Sequence, residues 1–563
     1  MYLVLFLIIL IGATALSSLF NKKIGFSILL DLFLIIFLMY VLGIFLPLNV
    51  SFYIVIIISI IGFIYAFYKK KIDKKRIFNF PLYVFTFLFI ILSLINIGKG
   101  LHNVDEYTHW GDIVYAMFYG NRLSAFNTLD GWYNSYPPAI SLFQYFFVKV
   151  LGYSEGVLYF SYQLFGLSLV LPFLDKIKGR TEQFILIVLI CLFFPVTLFD
   201  DFYNSIYVDA MLGLMFGFII AYGTIYKELD KADVLMIGLG LFILTLLKDA
   251  GLFLSIMAFI YLCLIMNKDN KRRYFMNICI FLLFILGAKI SWASILYFCK
   301  TPIRHASTFS FSSFYGVLTG NSSSDKLNIK NDFFYNFFTT QVLSEPLKLT
   351  YIALLMILVL LIFFMYKKDE KDKWALGFLC VGALLYMFGL LICFLYNFSS
   401  TDDPGLSSYD RYSVIYLNGL LMFIILSLIY KYHSKESLFV ILVIIILFNS
   451  VSIKDVFVSS YSDKENNYYR SVISEIDKDS KIVVFSYNYQ RDRYARYHYL
   501  TRPIKLTGDC DKSCITSDEK VLKNKNYDYL YVDAGNDIKV DGKKLKNKTF
   551  YRLKSNKLIE IKK

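Results

Sequence analysis

Asp105 and Glu106 stand side by side in His102-Asn-Val-Asp-Glu-Tyr-Thr-His-Trp110, directly after the apolar run Phe80 to Ile97. That run is long enough to cross a bilayer, and paired carboxylates at its mouth are costly to leave half-dehydrated. A carboxylate in such a place can take the proton from an attacking hydroxyl. Three more polar clusters interrupt the apolar sequence: Asp200-Asp-Phe-Tyr-Asn-Ser-Ile-Tyr-Val-Asp209, Leu247-Lys-Asp-Ala-Gly251 and Ser407-Ser-Tyr-Asp-Arg-Tyr412. Lys248 and Arg411 are cations at a lipid boundary, where arginine grips a phosphate with two parallel N–H donors and lysine acts as a point charge. A base, a phosphate clamp and a lipid groove at one interface form the layout that sugar transfer from a polyprenyl phosphate requires.

The elements that carry these residues are apolar helices. Of 563 residues, 57% are hydrophobic, which excludes an ordinary soluble globule. Apolar runs recur through the first 450 positions, and each suits a hydrocarbon core of ~30 Å. The hydropathy predicts a polytopic α-helical membrane protein of about 14 spans. Tyr2 to Phe20 has no charged segment before it and is followed by a second apolar run, so it is expected to be a retained span. The expected organisation is three N-terminal spans in 1–78, a transmembrane core in 79–453 and a polar domain in 454–563. The pair of spans 233–248 and 250–267 is the least regular, since only Asp249 separates them.

Charge orients the spans. Lys69-Lys-Lys-Ile-Asp-Lys-Lys-Arg76 carries six basic residues in eight and is expected on the cytoplasmic side. Counting outward, basic loops at 176–180, 227–231, 268–273, 367–373 and 431–435 share that side. The loops 99–155, 200–207, 298–349 and 397–412 and the domain after 454 share the other. All the polar clusters therefore fall on the outer face. Within 99–155, Ala139 to Leu151 is too short to span and reads as interfacial or re-entrant, so the loop is expected to lie on the outer membrane surface.

The polar domain has two strand-like runs, Lys481-Ile-Val-Val-Phe485 and Tyr527-Asp-Tyr-Leu-Tyr-Val532, which predict a small extracytoplasmic α/β unit. It holds 24 Lys and Arg against 16 Asp and Glu. That excess suits docking on anionic headgroups or an anionic polymer, and suits a solvated basic surface equally well. Cys510 and Cys514 are the one close cysteine pair, free or disulfide-bonded on sequence grounds.

Order and side together carry a resemblance. An outer loop opens with Asp105-Glu106 and contains Tyr136-Pro-Pro; Tyr207-x-Asp209 starts a later span; Leu247-Lys248-x-x-Gly251 follows; Arg411-Tyr412 comes last. Across roughly 79–453 the chain resembles the type C integral-membrane glycosyltransferase superfamily, the group of the protein O-mannosyltransferases and the lipid A aminoarabinose transferases. Three extra spans precede the one that leads into the catalytic loop, unlike the usual pattern. The resemblance implies inverting transfer from a polyprenyl-phosphate sugar to a glycan, lipid or protein acceptor at the outer face of a plasma membrane. It makes Asp105 the base, with Glu106 supporting it or the acceptor, and places Lys248 and Arg411 on the donor phosphate. Tyr412, Asp209, Asp201, Tyr136 and His109 complete the expected substrate-binding set. Membrane lipids are the other partners, and nucleic acid is not one.

Other readings of the same residues stand beside this one. Asp105 and Glu106 suit the N-terminus of a helix beginning at Tyr107. His102, Asp105, Glu106 and His109 have ligand-type atoms that suit a divalent ion, although no metal is assigned. Lys248 suits an ion pair with Asp249, and Arg411 suits an interfacial anchor. A polymerase or ligase of undecaprenyl-linked glycans would also use outer-face arginines. A transporter or flippase would favour repeats and polar groups near the bilayer midplane; no repeat is seen, and the polar groups gather at one face. The Lys-, Ile- and Asn-rich, Ala-poor composition fits an AT-rich bacterial genome.

Overall fold

The computed structural model describes residues 1–126, 131–177, 179–303, 309–343, 347–366, 370–398, 406–447, 464–487, 491–507, 510–540 and 542–561. Among them, eight helices are long and apolar enough to cross a membrane: Tyr2–Phe20, Ile24–Phe45, Leu48–Tyr68, Glu155–Phe173, Val208–Ile225, Lys271–Phe298, Lys373–Phe398 and Tyr409–Lys431. Further apolar helices are shorter, including Phe80–Ile95, Asp249–Ile265 and Tyr351–Met365. Phe80–Ile95 ends where Gly98, at φ 73°, bends the chain away. The irregular pair resolves into two helices, Lys231–Thr245 and Asp249–Ile265, packed on each other. The last span expected before residue 454 is helical over Lys435–Leu447, and residues 448–453 lie outside the described residues.

Exposed apolar side chains mark the outer helices. Leu48–Tyr68 presents Tyr53, Ile57, Ile61 and Ile64, and Lys271–Phe298 presents Leu283 and Ile290. Contiguous apolar surface of this extent is what lipid covers. Val208–Ile225 and Tyr409–Lys431 are instead buried and pack extensively against each other. Their contact depends on small residues. A Cβ on Gly213 would sit 2.6 Å from the Ile415 carbonyl oxygen, and one on Gly217 would sit 2.4 Å from that of Gly419. The order of these contacts makes the two helices parallel, and Asn418 Nδ2 donates to the Ala210 carbonyl at 3.1 Å. Asp209 and Arg411, each about one turn before its contact point, are thereby brought together.

Loop contacts sort the two ends of the bundle. At one end Lys22 bonds Asp233 (2.7 Å), Lys23 donates to the Asp175 carbonyl, and Gln183 donates to the His433 carbonyl. At the other end Lys99 donates to the Tyr203 carbonyl (2.6 Å), the Ile206 N–H to Glu106, and Trp292 to the Ser135 carbonyl. The basic loops thus meet one another at one end and the polar clusters at the opposite end.

The helix Ala139–Leu151 corrects one expectation. It is buried nearly all round, between Glu155–Ser168, Ile24–Phe45 and Gly111–Gly120. Its polar residues Ser141 and Gln144 are buried too, with Gln144 donating to the Leu158 carbonyl, so protein covers this helix where lipid was expected.

The C-terminal unit has the expected α/β character. Its strands are β1 (Ile482–Phe485), β2 (Cys514–Thr516), β3 (Tyr529–Val532), β4 (Ile538–Val540), β5 (Lys543–Leu545), β6 (Thr549–Lys554) and β7 (Lys557–Glu560). The main sheet has the order β2-β1-β3-β6-β7, parallel across β2-β1-β3 and antiparallel beyond, while β4 and β5 pair separately. Both strand-like runs of the sequence are strands, β1 and β3. Cys510 and Cys514 are disulfide-bonded, with Cα atoms 5.0 Å apart.

Candidate active site

Asp105 ends the segment that follows Phe80–Ile95. The next residues, Glu106–Trp110, form a single π-helical turn running into the helix Gly111–Gly120. Asp105 makes no capping hydrogen bond with its side chain, so its carboxylate stays available, 37% exposed. Single π turns recur at functional sites.

Arg411 reaches this carboxylate from the start of Tyr409–Lys431. Its Nη2 lies 3.3 Å from Asp105 Oδ2, and its Nε lies 3.1 Å from Asp209 Oδ2. Nη2 also donates to the Tyr412 hydroxyl at 3.2 Å, and the guanidinium lies 4.3 Å from the Tyr207 ring centroid. The other Asp209 oxygen accepts from Lys248 Nζ at 2.7 Å. Asp209 is 1% exposed, and two cations offset its burial. Lys248 is placed by a tight joint. It is extended before Asp249–Ile265, and a Cβ on Gly251 would meet the Leu244 carbonyl oxygen at 1.9 Å. Only glycine lets the helix start this close to its predecessor. Lys248 also lies 4.5 Å from the Tyr412 ring centroid.

The structure therefore joins Asp105, Asp209, Lys248, Arg411 and Tyr412 in one cluster. Lys248 pairs with Asp209, and the neighbour it was matched with in sequence, Asp249, pairs with Lys289 at 3.1 Å. His109 flanks the cluster, its Nδ1 4.0 Å from Asp105 Oδ1 and 2.6 Å from Thr108 Oγ1. Its ring stacks on Tyr133 and packs beside Tyr136, 5.1 Å away between centroids. Asp201 lies apart from the ion pairs, on the wall of a cavity that Arg411 also lines. Burial, with neighbouring Asp200 adding to it, pushes the Asp201 pKa up to about 6.

Glu106 differs from Asp105 in every respect. It is fully buried. Oε2 accepts from the backbone N–H groups of His102 and Asn103, each at 3.0 Å, and Oε1 accepts from Tyr159 Oη (2.8 Å) and the Ile206 N–H (3.1 Å). Burial pushes its pKa up to about 7, against the pull of these donors. In the ionised form these four donors fill its acceptor capacity. It braces the Asp105 loop against the loop that precedes Asp209. Lys99, only 2% exposed, strengthens the same brace through Tyr203, and burial lowers its pKa to about 8.

The four ligand-type residues do not converge. They fall into two pairs, His102 with Glu106 (3.6 Å) and His109 with Asp105 (4.0 Å). Among the described residues no group of three or more His, Cys, Asp or Glu is arranged to hold a metal.

Beside the cluster lies a cavity of about 330 Å³, lined by Asp200, Asp201, Gln341, Asp410 and Arg411 together with apolar residues. Through Thr197, Leu198 and Leu343 it adjoins an apolar cleft lined by Leu358, Leu421, Ile425 and Ile445. Charged mouth and hydrocarbon cleft share one wall. Tyr159, Lys99 and Glu155 were not singled out from sequence. Lys99 and Glu155 stand beside apolar runs, a signal that could have marked them. Compared with known proteins, the chain matches no family model and no curated sequence.

Proposed function

We propose that the protein transfers a sugar from a polyprenyl-phosphate carrier to an acceptor at the outer face of a plasma membrane, with inversion. The observation that carries this reading is the contact of Arg411 with both Asp105 and Asp209, at the mouth of a cavity that continues into an apolar cleft. Arg411, the cation on a cavity wall that also carries Asp200, Asp201 and Asp410, is the group an anionic head would meet, and the adjoining cleft suits a hydrocarbon tail. The meeting of the basic loops at the opposite end of the bundle supports placing this end outside.

In the proposed reaction the acceptor hydroxyl gives its proton to the Asp105 carboxylate as its oxygen attacks the anomeric carbon. The bond from that carbon to the phosphate oxygen breaks, and the phosphate leaves with the electron pair. Arg411 and Lys248 offset the charge that develops on it. Asp209 holds both cations in place. Tyr412 and Tyr207 present rings to the guanidinium, and His109, Tyr133 and Tyr136 form an aromatic wall next to Asp105, a surface on which a sugar ring can pack.

Mass spectrometry of lipid-linked sugars and surface glycans from a deletion strain tests the reading. A lipid-linked sugar should accumulate and a surface glycan should lose one residue. Wild-type protein should restore both pools, and Asp105→Asn should restore neither. Unchanged pools in the deletion strain would overturn the assignment.

A further inference from the structure

We infer that the C-terminal α/β unit is a positioning part of the Asp105 loop, acting through Arg470 and Glu155. The functional weight of this inference rests on Asp105 being the base; its geometric content does not. Glu155 is fully buried at the start of Glu155–Ser168. Its carboxylate accepts from Arg470 Nη2 (2.5 Å) and Asn466 Nδ2 (2.9 Å), both on the C-terminal helix Lys464–Ile473. The same carboxylate accepts the Leu101 N–H at 2.7 Å. Leu101 is four residues before Asp105, and its carbonyl accepts from the Tyr107 hydroxyl. One carboxylate therefore ties the C-terminal unit to the backbone of the loop.

The support around this joint is layered. Arg496 donates to Asn466 Oδ1 through Nε (3.1 Å) and Nη2 (2.8 Å), which orients the Asn466 amide toward Glu155. Arg502 forms a two-pronged ion pair with Asp112 in Gly111–Gly120, the helix that continues the π turn. The Tyr499 hydroxyl bonds that of Tyr153 at 2.5 Å, and its ring packs on Tyr107. Trp132 of the same loop stacks on Tyr494. A unit that only rested on a membrane or polymer surface would have no need of buried ion pairs directed inward. Leaving the Glu155 carboxylate buried without Arg470 is strongly unfavourable, so the two segments are ordered together.

Amide hydrogen exchange of the full chain in lipid nanodiscs tests the inference without any sugar substrate, and so independently of the proposed reaction. Arg470→Met should speed exchange in the 99–110 peptide by about tenfold or more. Arg470→Lys should recover part of the protection, since lysine still offers a charge to Glu155. Lys546→Ala, on the exposed side of the unit, should leave that peptide unchanged. Where Arg470→Met does not fold, Asn466→Ala removes one donor and keeps the ion pair; it should speed the same peptide to a smaller extent. In a transfer assay with cell-extracted lipid-linked sugar, Arg470→Met should lower kcat with donor KM held. Unchanged exchange in the Arg470 and Asn466 variants, or equal acceleration in Lys546→Ala, would overturn the inference.

Discussion

The guanidinium of Arg411 lies 3.3 Å from the carboxylate of Asp105, a residue 306 positions earlier in the chain. The proposed base and the proposed phosphate clamp are thus partners of each other. Under the proposed function, a donor phosphate should compete with Asp105 for Arg411, and its binding should free the carboxylate to accept a proton. Asp105→Asn removes that competition together with the base. Transfer should fall by about 10²–10⁴-fold, while donor affinity stays the same or tightens. Titration of polyprenyl phosphate into the variant in nanodiscs measures the second effect. Weaker binding would assign Asp105 to holding the donor.

The two acids on Arg411 should differ sharply in their effect on stability. Asp105 is 37% exposed, and an exposed pair contributes only about 0–1 kcal/mol. Asp209 is 1% exposed and holds both Lys248 and Arg411. Asp209→Ala leaves Lys248 without its buried carboxylate and Arg411 with Asp105 alone, and should destabilise by about 3–5 kcal/mol, whereas Asp105→Asn should melt close to wild type. Thermal unfolding in one detergent compares them, and equal melting temperatures would refute the burial argument.

Much of this cluster was legible because each member sits at a helix end, where a charge next to an apolar run stands out. The Gly251 spacing was legible for the same reason, and the structure supplies its cause in the Leu244 carbonyl. The partners that hold the cluster were not legible. Glu155 meets Arg470 across 315 positions and Asp112 meets Arg502 across 390, and no local pattern encodes such pairings. Glu106 was grouped with Asp105 because adjacent acids look alike in sequence; only the fold shows that one is buried among four donors and the other is partly exposed and paired with Arg411. Ala139–Leu151 was misplaced because an apolar run too short to span suits a buried core helix as well as an interfacial one, and length does not separate the two.

Glu106 should leave a signature in pH dependence. Its pKa is raised to about 7 from an ordinary 4.5, so the folded state holds a proton that the unfolded state releases. The resulting contribution to stability is present below about 4.5 and is lost as pH rises through about 7, a change on the order of 3 kcal/mol. His102 beside it runs the other way, because burial and Lys99 lower its pKa to about 4. The difference between wild type and Glu106→Gln isolates the Glu106 part. Relative to the variant, wild type should lose stability between pH 5 and 7.5. A difference that stays flat with pH would show that Glu106 is ionised throughout.

The apolar cleft makes a prediction about tail length. Leu358, Leu421 and Ile425 line it, and it adjoins the cavity holding Arg411 through Thr197, Leu198 and Leu343. If a polyprenyl tail lies there, its hydrocarbon contacts contribute to donor affinity at roughly 25 cal/mol per Å² of area covered. Ile425→Trp fills part of the cleft with a side chain that is itself apolar, and the residue is far along its helix from Arg411. Donor KM should rise about tenfold for a full-length carrier, since ~1.4 kcal/mol of lost contact corresponds to that factor. For a carrier with only two or three isoprene units, which cannot reach Ile425, KM should not move. Size-exclusion profiles would confirm that the variant is folded before the comparison is made. An equal rise for both carriers would place the disturbance at the headgroup, and no rise for either would remove the cleft from the donor site.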